Sequence, residues 1–263
     1  MQIKEKIERI GKPLRNWDIQ INYGIKTGFN EAFIITGNQR KILIEQDPKS
    51  EEIIRPILRG RDIKRYGYDF ADLWLINMHN GIKEKGIKPL KIDDYPAIKK
   101  HLDLFYSELA NRSDQGDTPY NLRNCAYTEE FFRQKIVWGN LNLEASYSMA
   151  PEGIFINAPC PMIVPANKYL LAILNSKLAD YYIRNLGVTR NGGYFEYKPM
   201  FIEKLPVPII SIEKQGPFDE IVDKLLKKMG TTNYVYELEN KIDDMVFKLY
   251  GLTSEEADFV RFR

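Results

Sequence analysis

The chain has 263 residues, 44% hydrophobic and 28% charged, which is the ordinary balance of a soluble globular protein holding one large domain, or one domain with a helical appendage. No run approaches eighteen consecutive apolar residues, which excludes an apolar transmembrane helix, and Met1–Lys6 lacks the apolar core of a signal peptide, so a cytoplasmic chain with no membrane partner is expected. The net charge of +2 names no partner by itself.

Residues 2–11 predict a helix with Ile3, Ile7 and Ile10 on one face and Gly11 as its stop. A helix starting at Met1 without a cap suggests a piece cut from a longer chain. Ile19, Ile21 and Tyr23 alternate as in a strand. A loop with two glycines, Gly24 to Asn30, follows. Ala32–Ile35 and Lys41–Ile44 flank Thr36-Gly37-Asn38-Gln39, which predicts a hairpin. A short helix is expected over 50–59, a buried strand at Leu73–Ile76, and a helix from Tyr95 to Ala110 carrying Ile98, Leu102, Phe105 and Leu109. After a polar loop, Asn111 to Pro119, come strands at Lys135–Trp138 and Gly153–Ile156, then one amphipathic helix from Leu170 to Leu186.

Leu205-Pro206-Val207-Pro208 reads as a linker, with a boundary near residue 211. Beyond it the pattern is helical. Phe218, Ile221, Val222, Leu225 and Met229 form one stripe; Leu238, Ile242, Met245, Val246 and Leu249 form another, closed by Gly251. Thr253-Ser254-Glu255-Glu256 is a capping box for a third helix. The expected fold is therefore α/β (mixed α+β), with an irregular mixed β-sheet over 1–211 and a C-terminal helical appendage over 212–263. No internal repeat or low-complexity tract is present.

Residues 1–212 hold 30 basic and 25 acidic side chains and the remainder 8 and 11, so the large part is mildly basic and the tail mildly acidic. That split suits an anionic partner for the first part; a solvated surface would give it too. The aromatic content of 12% fits core packing as well as base stacking. Cys125 and Cys160 read as reduced thiols.

No Gly-x-Gly loop for S-adenosylmethionine follows a strand. No Asn/Asp-Pro-Pro-aromatic loop, Walker loop or Gly-x-Ser-x-Gly elbow is present either, and Asn157-Ala158-Pro159-Cys160-Pro161 is no substitute. His79 and His101 lack neighbours at metal-ligand spacing. Acid-x-Lys pairs occur at Asp47, Asp62, Glu196 and Glu239, which is what chance supplies. The most suggestive set for a metal-dependent endonuclease is Asp47, Asp62 and Lys64.

Several stretches together resemble one family. Tyr23-Gly24-Ile25-Lys26-Thr27-Gly28-Phe29-Asn30-Glu31-Ala32-Phe33-Ile34-Ile35 is similar to the opening of the TaqI-like C-terminal specificity domain of type IIG restriction enzymes and related adenine-N6 DNA methyltransferases. Arg55 to Tyr66, Arg123-Asn124-Cys125-Ala126-Tyr127 with Lys135–Trp138, Leu170 to Leu205, and Tyr250-Gly251-Leu252-Thr253 resemble its later signatures in order. The resemblance implies a target-recognition module for double-stranded DNA in a restriction–modification system, non-catalytic in this chain. It further implies a methyltransferase domain in the same or a partner chain, with S-adenosylmethionine and magnesium serving those missing parts.

Its implied contacts fall on loops able to offer cations, amides and close backbone approach. Lys26, Thr27 and Gly28 suit a phosphate, or form a plain turn. Arg59 and Arg61 suit phosphate or guanine edges, or form a surface turn with Arg61 paired to Asp62. Arg190-Asn191-Gly192-Gly193-Tyr194 is the leading candidate loop, with a helix-exit turn as its alternative. Asn30, Arg123 and Asn140 complete the set, and Trp138 and Asn142 lie beside it, Trp138 more in the manner of a core residue. The reading requires these glycine-punctuated loops to converge on one cationic face. Two other readings stay open: the endonuclease above, and a protein-interaction scaffold whose helical tail docks a partner.

Overall fold

In a computed structural model, residues 2–227 and 230–262 are described. Helices and strands are mixed, and the strands form several small sheets. One four-stranded antiparallel sheet runs Tyr147–Ala150, Lys135–Trp138, Pro161–Val164, Gln20–Tyr23. A second runs Phe155–Ile156, Ile54–Leu58, Leu73–Ile76, Ile34–Thr36, with only its first pair parallel.

The first sheet is a wall between two apolar cores. Ile136 and Trp138 point into one core and Val137 into the other; Ile163 and Met162 divide in the same way. A strand buried on both faces needs no polar alternation, which is why Lys135–Trp138 and Pro161–Val164 read as continuous apolar runs. Lys135 is the exception. It is fully buried, and its Nζ donates to the carbonyls of Pro151 and Ile154, each at 3.0 Å.

Several sequence expectations change. The hairpin at 36–39 is absent: Thr36 caps a helix, Gly37–Gln46, in a reciprocal capping box with Gln39, and Ile34–Thr36 pairs with Leu73–Ile76 instead. Thr-x-x-Gln suits a turn as well as a helix start, and here it starts a helix. Residues 50–59 hold a 3-10 helix, Pro48–Ile53, and then the strand Ile54–Leu58. The helix expected from Tyr95 breaks at Leu104 and Phe105 into Pro96–Asp103 and Tyr106–Asn111. The helix expected over 170–186 breaks at Ser176, whose hydroxyl caps the second piece, Lys177–Arg184. Ile10 is exposed, so the first helix buries only Ile3 and Ile7 of its expected face.

Leu205–Pro208 is no solvated linker. All four residues are buried, Pro206–Val207 pairs with Lys12–Pro13, and the Pro206 carbonyl accepts from the Tyr250 hydroxyl at 2.6 Å. The helices that follow, Ile212–Leu226, Thr232–Leu249 and Ser254–Arg261, share one core with Tyr169–Leu174 and Leu178–Ile183. Both expected tail stripes face that core, except Met229, which lies outside the described residues. Buried Asp243 accepts the Lys177 N–H at 2.8 Å, so a tail side chain caps a helix of the larger part. Arg65 spans the same seam, bonding Glu239 at 2.5 Å and the Ala145 carbonyl at 3.1 Å. No helix among the described residues is long and apolar enough to cross a membrane.

Candidate nucleic-acid interface

The expected loops meet along one tract. A cleft of about 530 Å³ is lined by Tyr23, Lys26, Arg123, Cys125, Ala158 and Pro159. A second, also about 530 Å³, is lined by Asn30, Arg61, Asn140, Leu141, Ala158 and Pro159. Ala158-Pro159 is thus a ridge common to both. Beyond the second cleft, Leu141 and Asn142 pair with Glu196 and Phe195, directly after the Arg190–Tyr194 turn. Lys26, Arg123, Asn30, Arg61, Asn140 and the 190–194 turn therefore lie in sequence along contiguous loops.

The charges along this tract follow a repeated arrangement: two cations about one carboxylate. Asp114 bonds Lys26 at 2.7 Å and Arg123 at 3.0 Å. Glu196 bonds Lys198 at 2.7 Å and Arg190 at 3.0 Å. Asp62 is held by Arg59 and feels the charge of Arg61. A hydrogen bond from Lys26 holds Asp114 below the usual carboxylate range, and one from Lys198 does the same for Glu196. Burial pushes Asp62 up, but hydrogen bonds from Arg59 outweigh it and hold it low. All three carboxylates are ionised at neutral pH, so each triplet carries a net single positive charge.

Individual side chains differ in what they leave available. Thr27 is buried; its hydroxyl donates to Asn30 Oδ1 at 2.6 Å and its carbonyl accepts from Arg112, so it shapes the turn from within. Gly28 has φ +73, and a Cβ there would come within 3.0 Å of the Asp114 Cβ, so the position requires glycine as a turn. Arg112, buried over the Phe33 ring, also binds the carbonyls of Pro119 and Asn121; burial lowers its pKa to about 10. Arg59, rather than Arg61, is the partner of Asp62. Arg61 is exposed, and its guanidinium has no hydrogen bond or ion pair among the described residues. Gly192 and Gly193 have φ +74 and +82, and Asn191 to Tyr194 are exposed. Trp138 is a core residue, its Nε1 donating to the Tyr197 carbonyl at 2.7 Å, and the Asn142 amide is committed to the Gly139 carbonyl at 2.8 Å.

Sequence reasoning missed Asp114, Glu196 and Lys198 as members of this surface. Nothing in the polar loop from Asn111 signalled that it would fold back onto Lys26. Glu196 and Lys198 were visible only as one acid-x-Lys pair among several. The exposed apolar side chains of Leu141 and Leu143 also went unremarked.

The endonuclease set does not assemble. Asp47 caps the helix Pro48–Ile53 through Lys49 N–H and Ser50, Asp62 is occupied by Arg59, and Lys64 donates to the Arg61 carbonyl. Among the described residues no group of three His, Cys, Asp or Glu side chains is placed to hold a metal ion. His79 and His101 have local partners, the Gly81 N–H and the Ala32 carbonyl.

The fold is that of a specificity module. The TaqI-like C-terminal specificity domain matches residues 55–207, more than half of the sequence, and the chain belongs to that family. Two solved structures are similar to it. One is the type IIL restriction-modification enzyme MmeI in complex with DNA, at a TM-score of 0.70 and 13% identity, over 95% of this chain and 36% of that one. The other is the type IIG restriction endonuclease BpuSI, at a TM-score of 0.53 and 14% identity, over 95% and 32%. The chain spans about a third of the length of each. No curated protein matches the sequence.

Proposed function

We propose that this chain reads a specific double-stranded DNA sequence for a restriction–modification enzyme, residues 1–211 forming the recognition part and 212–263 a helical brace. It positions an adenine for N6-methylation by a catalytic domain elsewhere, in the same or a partner chain and in the cytoplasm. S-adenosylmethionine and magnesium would act in that domain. The observation that carries the reading is the run of two-to-one cation–carboxylate triplets along adjoining loops, each keeping a net positive charge toward a polyanion. Family membership and the likeness to MmeI, described in complex with DNA, support it.

The test is duplex binding by fluorescence anisotropy at about 50 and 200 mM salt. Binding that weakens steeply with salt, and falls when Lys26, Arg123 and Arg190 are replaced together by Ala, is expected. Salt-insensitive or absent binding would overturn the reading and favour the protein-interaction scaffold.

A further inference from the structure

Base recognition needs polar side chains with hydrogen-bonding capacity left over, whereas phosphate contact needs only net positive charge. Along the tract, most capacity is already committed. Arg59 is held by Asp62, Lys26 and Arg123 by Asp114, Arg190 by Glu196, and the Asn142 amide by Gly139. Asn140 and Arg61 are among those left with capacity, and they line the same cleft. Asn140 has its Oδ1 buried without a hydrogen-bond partner, while its main chain is fixed by the Tyr197 N–H at 2.8 Å. Arg61 extends from the loop opposite, with no hydrogen bond to its guanidinium among the described residues. A buried amide oxygen without a partner is unfavourable until a ligand supplies a donor.

The backbone under both residues is tightly set. Gly60 and Gly139 pack so closely that a Cβ on Gly139 would sit 3.3 Å from the Gly60 carbonyl, and one on Gly60 would sit 3.2 Å from Cys160 Sγ. The two side chains are therefore presented from a floor with little room to shift. An Asn amide matches the N6 donor and N7 acceptor of adenine, and an Arg fork matches the O6 and N7 acceptors of guanine.

From this we infer that Asn140 and Arg61 are the sequence-reading pair of the second cleft, Asn140 selecting an adenine and Arg61 a guanine in the bound duplex. The inference rests on the DNA-recognition reading above. It divides the tract into one reading cleft and flanking positions that only grip the backbone.

The experiment is selection from a randomised duplex library by the chain, with Asn140→Ala, Asn140→Asp, Arg61→Ala and Arg61→Lys alongside it, each variant first shown to melt as the parent does. The parent should return a motif containing both purines. Asn140→Ala should relax one adenine position by about tenfold or more and leave the other positions intact, and Asn140→Asp should move that position toward cytosine. Arg61→Lys should relax one guanine position while keeping the salt dependence of binding, whereas at a phosphate contact the same charge-conserving change would leave both the motif and the salt dependence as they were. Variants that return the parental motif, or that weaken every sequence equally, overturn the inference and leave DNA recognition standing. A parent that selects no motif and binds no duplex in a salt-dependent way overturns both.

Discussion

Asp62 accepts three hydrogen bonds from Arg59: from its main-chain N–H at 2.8 Å, from Nε at 3.0 Å and from Nη2 at 2.8 Å. The carboxylate is buried, so the pair fixes the turn that carries Arg61 outward. Asp62→Ala leaves the guanidinium and the main-chain donor without an acceptor. A loss of about 2 kcal/mol in stability is expected, read from the urea midpoint, with Asp62→Asn losing less.

Asp114 offsets one of the two charges it orders. Replacing it with Asn should tighten binding to duplexes of any sequence and steepen the dependence of log K on log salt by about one. Lys26→Ala should flatten that dependence by a similar amount. Titration of binding against salt for the three proteins checks both signs. Unchanged slopes would place the first cleft away from the phosphates.

Burial lowers Lys135 to about pH 8, against a small opposing pull from Glu152. Between that value and the ordinary lysine range, the unfolded chain holds a proton that the folded chain has released, so folding gains stability as pH rises through this window. The gain is complete above the unfolded pKa and is lost as pH falls through about 8. Stability measured from pH 7 to 11 should therefore climb relative to Lys135→Met by up to roughly 3 kcal/mol. The comparison cancels the buried tyrosines, which are common to both proteins. A flat difference would mean that Lys135 stays charged between its two carbonyls.

Thr36→Ala removes a hydroxyl that accepts the Gln39 N–H at 3.2 Å, while Gln39 Oε1 accepts the Thr36 N–H at 2.9 Å. About 1 kcal/mol should be lost, with no effect on DNA binding, since this cap lies outside both clefts.

Deleting residues 212–263 should give an aggregating product. The deletion strips Phe218, Ile221, Val222, Leu238, Ile242 and Val246 from the shared core and removes the Asp243 cap of Lys177. Size-exclusion chromatography of the truncated chain, compared with the full one, is the measure.

What could be read beforehand follows from how local each signal is. Lys135–Trp138 falls where its apolar run places it, because burial on both faces writes itself into consecutive residues, and Leu73–Ile76 does so with Leu75 and Ile76 buried. Thr253 begins its helix as its capping box dictates. The failures arose where two local readings compete, as at Thr36, or where a single polar residue such as Ser176 divides an apolar period that continues past it. The loops of the site were legible as loops, since glycine and cation types are visible in a string. Their pairing with Asp114 or Glu196 was not, and the string alone pairs Asp62 with its neighbour Arg61 instead of Arg59, because contact such as that between Lys26 and Asp114 depends on a chain path that no periodicity records.

The short ladder of Lys12–Pro13 with Pro206–Val207 is reinforced on its inner side by Leu14 N–H to the Leu205 carbonyl and Arg15 N–H to the Glu203 carbonyl. Every residue proposed to read or grip DNA lies on the 190-odd residues strung between these two points. Entrance and exit are stitched side by side, so a segment cut at this neck and replaced by that of a relative would arrive and depart along the same path. Such an exchange would change what is recognised while the helical brace stays, as long as the incoming segment keeps the apolar face that packs on it, a route by which one scaffold acquires many targets without being rebuilt.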